Sequence, residues 1–224
     1  MTPQNALVIG ATGGLGAALA AHLRAAGAPV TTLSRREDGL DITDEATVIA
    51  AAKHLSDQTF DLILDATGAL VVDGVDPERR MRELDPAIML RSYAVNAVGP
   101  AMLLKHFAER LPRRGPAAFA TLSARLGSIG DNRLGGWTSY RAAKAGLNQI
   151  VRSASVEIAR KRPEAVVVAL HPGTVETALT RRFARGRFTA TPPEAAAQLL
   201  GALAGLGPGD TGGFFAYDGQ SVPW

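Results

Sequence analysis

Ala6-Leu7-Val8-Ile9-Gly10-Ala11-Thr12-Gly13-Gly14-Leu15-Gly16 decides how this chain is read. Four apolar residues without polar alternation read as a strand buried on both faces, the kind found inside a parallel sheet. From Leu15 the spacing becomes that of an Ala/Leu helix, expected over 15–26 and ended by Gly27. A glycine-rich hand-over from strand to helix makes a tight turn and lets a ligand approach the backbone. The free N–H groups of the helix N-terminus there favour an anion such as a pyrophosphate. Because Gly13 and Gly14 are both present, the loop fits GxxxGxG and GxxGxxG equally.

The pattern continues outward in alternation. Strands are expected at Val30–Leu33, 60–66, Ala117–Leu122, 166–171 and 213–217, with a very short one near 40–41. Helices are expected over 45–55, 86–111, Thr138–Lys161 and Pro192–Ala204, with Asp85 as the N-cap of the second and Pro86 at its first position. Short apolar strands separated by helices indicate an α/β fold, a doubly wound parallel sheet covered on both faces. At 224 residues and 46% apolar content the chain suits a single domain, 1–224. There are no cysteines, hence no disulfide or thiolate metal site, and no metal is expected. Met1 to Asn5 lack a basic leader, and no stretch reaches the ~18 apolar residues of a membrane span. The expectation is a cytoplasmic protein binding neither membrane nor nucleic acid, since net charge +3 is modest despite a pI near 9.6.

Two side-chain patterns carry chemistry. Of 24 basic residues only four are Lys (53, 105, 144 and 161), so Lys144, four residues after one of three tyrosines, stands out. On a helix, Tyr140 and Lys144 share a face, and a nearby ammonium lowers a phenol's pKa toward the working range of an acid catalyst. The second strand ends Ser34-Arg35-Arg36. An acid is the usual partner of an unmodified ribose at this point, whereas guanidinium forks suit a 2′-phosphate, so this end predicts NADP over NAD. Glu37 and Asp38 offer the plainer alternative, a neutralised surface pair.

Together these pieces resemble the short-chain dehydrogenase/reductase family, single-domain branch, over nearly the whole chain. The resemblance implies a Rossmann-type fold and NADP(H) as cofactor. In that family's pattern Gly10, Gly14 and Gly16 form the glycine loop, with Thr12, Gly13 and Leu15 beside the cofactor. Asp41 and Ile42 stand for the acidic-apolar pair at the adenine ring. Ala66, Thr67 and Gly68 follow the next strand, and Pro172, Gly173, Val175 and Thr177 form the nicotinamide-side motif. Tyr140 would exchange a proton with the substrate oxygen, Lys144 would hold the nicotinamide ribose, and Asn96 would position a water linking Lys144 to solvent. The stretch 126–132, Gly135-Gly136 and the ending Asp218-Gly219…Pro223-Trp224 look like the C-factor/sniffer-type carbonyl reductases.

Three departures accompany the resemblance. Asp65-Ala66-Thr67-Gly68 replaces the usual Asn-Asn-Ala-Gly, and too few residues separate the second and third strands for the usual helix. Ala124 occupies the slot of the substrate-binding serine, leaving Ser123 as the narrowly favoured replacement and Ser128 as runner-up. The expected activity is reduction of a ketone or aldehyde, or the reverse oxidation. The alternatives are an NADP-binding sensor or signalling protein of the same fold and, less well matched, a sugar-nucleotide epimerase. Arg181, Arg182, Arg185 and Arg187 read as a solvated loop, with attraction of an acidic or carrier-bound substrate as the sharper option. His171 reads as a satisfied core histidine. The apolar surface of 86–111 suggests a homodimer or homotetramer built on that helix and Thr138–Lys161.

Overall fold

The computed structural model of the chain describes residues 3–224; Met1 and Thr2, part of the stretch read as lacking a leader, lie outside them. Its strands are β1 (Ala6–Ile9), β2 (Val30–Leu33), β3 (Leu62–Asp65), β4 (Ala117–Leu122), β5 (Ala165–His171) and β6 (Phe214–Ala216). All pair in parallel in the order β2-β1-β3-β4-β5-β6. The chain leaves β1 toward one edge of the sheet and returns to β1's other side, which opens a crevice beyond the carboxyl end of β1.

The helices are α1 (Gly14–Ala25), α2 (Arg35–Asp38), α3 (Glu45–His54), α4 (Pro86–Tyr93), α5 (Gly99–Phe107), α6 (Thr138–Lys161), α7 (Ala178–Ala184) and α8 (Pro192–Ala204). One sheet face packs Leu7, Phe119 and Val167 against Leu103, Phe107 and Leu147 of α5 and α6. The other packs Val8, Leu64 and Val168 against Leu19, Leu199 and Leu203 of α1 and α8. Strands buried on both faces explain their continuous apolar runs.

Five expectations need correction. Residues 40–41 form no strand: Asp41 Oδ1 accepts from Thr43 N (2.9 Å) and Thr43 Oγ1 (2.7 Å), folding the chain into a turn while Leu40 plugs the core. Between β2 and that turn stands α2, a single helical turn capped by Ser34, which accepts from Glu37 N at 3.1 Å. The segment expected as a solvated loop after Thr177 contains α7.

The helix expected over 86–111 is not regular. A π-helical turn, Ala94–Val98, separates α4 from α5, and Gly99 N donates to Ala94 O, five residues back. Pro100 supplies the reason: without an N–H it cannot serve the carbonyl of Asn96, so the helix widens just before it. Among the described residues, Pro86–Arg110 is also the one helical run long and apolar enough to cross a membrane by length and composition, contrary to the sequence reading. Here its Leu103, Leu104 and Phe107 are buried in the core.

The β1–α1 turn is the tightest joint in the molecule's core. A Cβ on Gly16 would stand 2.3 Å from Gly10 O, while Gly10 itself has φ +84°. Gly16→Ala is therefore expected to destabilise the protein by about 1–3 kcal/mol, the usual cost of overpacking a fixed backbone contact. Urea unfolding should show a lower midpoint with an unchanged slope.

Candidate functional site

The strands end at one edge, and a cavity of about 1020 Å³ opens there. That is the upper end of the ~300–1,000 Å³ range of ligand pockets. Its floor begins with Gly13, Gly14, Leu15 and Gly16 at the start of α1. Gly13 caps this helix without a side-chain bond, and no acid occupies its first turn. The helix thus points bare N–H groups and a positive end into the cavity. Ala66, Thr67 and Gly68 line the wall after β3, and Pro172, Gly173, Val175 and Thr177 the wall after β5. Tyr140 and Lys144 enter from α6, one helical turn apart.

Gly10, Thr12, Ser34, Arg35, Arg36, Asp41, Ile42 and Asn96 lie outside this lining. Gly10 is half-buried at the turn, donating from its N–H to Leu33 O (2.8 Å), which sets the end of β2 beside the glycine loop. Ser34 is buried and fully engaged: its N–H and hydroxyl donate to Asp38 Oδ2 at 2.7 and 3.2 Å. Arg35 and Arg36 follow it, exposed, and neither has a carboxylate within ion-pair distance among the described residues. The alternative of an internally neutralised pair does not fit, because Asp38 turns to Ser34. Ile42 packs instead against Gly99 of the helix behind, where any side chain at 99 would collide with it.

Below the cavity lies a layer of buried polar groups. Asn96, fully buried at the π turn, accepts from Ala69 N (3.0 Å) and donates to Ala69 O (2.8 Å). Its side chain thus clamps the loop after β3. Gly68 fits here because a Cβ would stand 3.1 Å from Asn96 Oδ1 and 3.4 Å from Lys144 Nζ. Asp65, which replaces an amide in the family pattern, is also fully buried; its Oδ1 accepts from Thr67 N (2.9 Å) and Thr67 Oγ1 (2.6 Å). It shapes the turn that presents Thr67 rather than lining the cavity. Its Oδ2 and the hydroxyl of Thr121, its register neighbour on β4, have no protein partner.

Lys144 Nζ donates to Leu122 O at 2.9 Å and lies 5.9 Å from the centre of the Tyr140 ring. Burial pushes its pKa down to about 8, with Asp65 pulling the other way. Burial raises the Tyr140 phenol above its ordinary value. The expectation of a phenol lowered by Lys144 is not met here, since the ammonium spends a hydrogen bond on Leu122 and makes none to the phenol. Asp65 is raised by burial, opposed by Thr67 and Lys144.

β4 stops at Leu122, yet Ser123 does not present a free donor. Its hydroxyl donates to Asn148 Oδ1 (2.7 Å), a turn beyond Lys144 on α6. Ser123 lines the cavity, and with its proton directed to Asn148 it ties strand to helix in this structure. Ser128 accepts from Asp131 N (3.0 Å), is buried, and does not line the cavity. His171 was also misread. It faces the cavity with Nδ1 unpartnered, and burial pushes its pKa down to about 4, so the imidazole is neutral near pH 7. Trp137, Phe183 and Arg133 also line the site, and sequence reasoning passed over them. Their one signal was position, on the segments flanking the Tyr140 helix and Thr177.

A family model described as short chain dehydrogenase matches residues 4–187. A 1-hydroxy-2-glutathionyl-2-methyl-3-butene dehydrogenase of Rhodococcus sp. (strain AD45) is 32% identical over 206 residues, covering 91% of this chain and 84% of the relative. The C-signal protein of Myxococcus xanthus is 36% identical over 143 residues, 63% of this chain and 82% of that one. The carbonyl reductase Sniffer of D. melanogaster has the same fold, with a TM-score of 0.82 over 99% of both chains at 24% identity. The family match runs through every site element from the glycine turn to α7, and the chain accordingly belongs to the short-chain dehydrogenase family.

Proposed function

We propose that the protein is an NADPH-dependent reductase of a ketone or aldehyde, able to run in reverse on the alcohol. The observation that carries this reading is the placement of Tyr140 and Lys144, one turn apart on α6, in the same cavity as the bare N-terminus of α1. The residues fit the dinucleotide: the α1 N-terminus suits its pyrophosphate, Arg35 and Arg36 a 2′-phosphate, and Lys144 the nicotinamide ribose. When bound, NADPH supplies the hydride that reduces the carbonyl carbon. Tyr140, held protonated by burial, gives its proton to the carbonyl oxygen. The Lys144 ammonium, 5.9 Å from the Tyr140 ring centre, orients the nicotinamide ribose beside the phenol, and Asn96 takes the place the family pattern gives to the route by which the proton is replaced. The exposed apolar side chains Leu90, Val98 and Val156 on the α4–α5 run and α6 support pairing with a second copy.

A second reading, an NADP-binding sensor with little turnover, draws on Ala124 and on the engaged hydroxyl of Ser123. Tyr140→Phe separates the two. The reductase reading expects a folded protein that still binds NADPH and has almost no turnover in a screen of ketones and aldehydes followed by NADPH absorbance. Normal turnover by this variant would refute the role of Tyr140. Ser123→Ala should mainly cost stability, about 1–3 kcal/mol in denaturant unfolding, because it leaves Asn148 Oδ1 buried without its donor.

Cofactor choice is tested by the dissociation constants of NADPH and NADH. Arg35→Ala should weaken NADPH by about 1.5–3 kcal/mol, the range of a charge-assisted hydrogen bond, and leave NADH nearly unchanged. Equal weakening of both would overturn the assignment to the 2′-phosphate.

The pH dependence follows from Lys144. Its folded pKa, about 8, lies below the ordinary 10.5, so the ammonium that binds ribose is lost as pH rises through about 8. Fluorescence titration should show NADPH affinity falling above that pH. In Asp65→Asn the carboxylate that opposes the shift is gone, and the fall should begin at lower pH.

A further inference from the structure

The charge around the cavity exceeds what the proposed chemistry uses. Besides Lys144, five arginines line it (Arg125, Arg133, Arg141, Arg185 and Arg187), against one acid, Asp131. Two of the five are accounted for. Arg125 pairs with Asp131 at 3.3 Å, and Arg141 braces its own loop through Gly136 O (2.8 Å) and Gly135 O (3.2 Å). Arg133, Arg185 and Arg187 have no carboxylate within ion-pair distance among the described residues. They come from two separate segments, before α6 and after α7, and converge on one cavity. Their neighbours Arg181 and Arg182, on α7 itself, pair with Glu176 (3.6 Å) and Asp76 (2.8 Å) and do not line it.

These three arginines belong to segments other than those assigned to the cofactor's phosphates, the start of α1 and the end of β2. Unpaired charges of one sign lining a single cleft raise the local concentration of anions, most of all where its walls are of low dielectric. Such walls are present. The Trp137 ring meets Phe183 edge-on, with centres 5.4 Å apart, and Leu134 lines the same cavity. Trp137 is held at φ +54°, a left-handed backbone rarely adopted by a bulky residue, between its N–H bond to Glu78 O and the bond that Arg141 N makes to its carbonyl. An aromatic placed at such backbone strain points to a surface kept for a ligand.

We infer that the substrate is a carbonyl compound with an apolar body and a remote oxyanion, carboxylate or phosphate. Its anion is held by Arg133, Arg185 and Arg187, and its body lies along Trp137, Phe183 and Leu134. The neutral His171 does not add to this positive field. The inference rests on the reductase reading of the same site and gives it a substrate class.

The test compares 4-phenylbutan-2-one with two derivatives that carry an oxyanion on the ring, 4-(3-oxobutyl)benzoate and 4-(3-oxobutyl)phenyl phosphate. At least one oxyanion ketone should exceed the neutral ketone about tenfold or more in kcat/KM, mostly through KM, and the better one identifies the anion. The advantage should shrink in 0.5 M NaCl by about an order of magnitude or to nothing, as a screened attraction does. In the combined variant Arg133→Gln, Arg185→Gln, Arg187→Gln the ratio should fall to about one. Arg181→Gln with Arg182→Gln, which removes two charges on the neighbouring α7 that pair elsewhere and do not line the cavity, should keep it. A neutral ketone used as well as both charged ones, or a preference that survives the triple variant, overturns the inference and leaves the reductase reading standing. If none of the three turns over, calorimetry of the same ketones with the NADP⁺-loaded protein decides. Tighter binding of an oxyanion ketone, lost in the triple variant, upholds the oxyanion site and counts against the reductase reading; equal or absent binding overturns the oxyanion site.

Discussion

The contact between Gly16 and the carbonyl of Gly10 governs the geometry of this molecule. With no Cβ at residue 16, α1 starts hard against the end of β1. The start of α1 then faces the crevice beyond β1 instead of bulk water. β2 is tied to the same joint, because Gly10 N and Ala11 N both donate to Leu33 O. Through that bond the exposed guanidiniums after Ser34 stand beside the glycine loop. A larger residue at 16 would tilt the helix and move its N-terminus away from Arg35 and Arg36.

A second constraint comes from the polar layer between the sheet's carboxyl edge and the α4–α6 helices. Buried polar groups are costly unless paired, so each pairing here also fixes a loop. Asn96 clamps Ala69, Lys144 grips Leu122, Ser123 grips Asn148, and Asp65 folds the Thr67 turn. Asn96 reaches its partner from a π turn that Pro100 imposes, so a helix defect becomes part of the site. The same burial tunes the titrating groups in opposite senses, raising the phenol and lowering the ammonium.

Much of this was legible in the sequence because it depends on neighbours within a few residues. The β1–α1 turn, the shared face of Tyr140 and Lys144, and the boundaries of α6 and α8 all follow from local spacing. The π turn was also within reach, since Pro100 inside an apolar helix is a local signal. The two-residue strand failed for the opposite reason: Asp41 satisfied itself with Thr43, two residues on, and the propensity of Leu40 went into core packing.

By itself, the sequence determined the alternation of strands and helices, the glycine joint, the acid–ammonium pair and the cation pair after β2. Only the tertiary structure decided which hydroxyl is free and which charges meet. Ser123 looked available until a residue 25 positions away took its proton. His171 looked satisfied until its ring was placed in the cavity with Nδ1 unpartnered. Arg133 and Arg187 share that cavity across more than fifty residues of chain. Periodicity and turn chemistry act over one or two helical turns, whereas hydrogen-bond satisfaction and cavity charge are set by whichever segments the sheet order brings together.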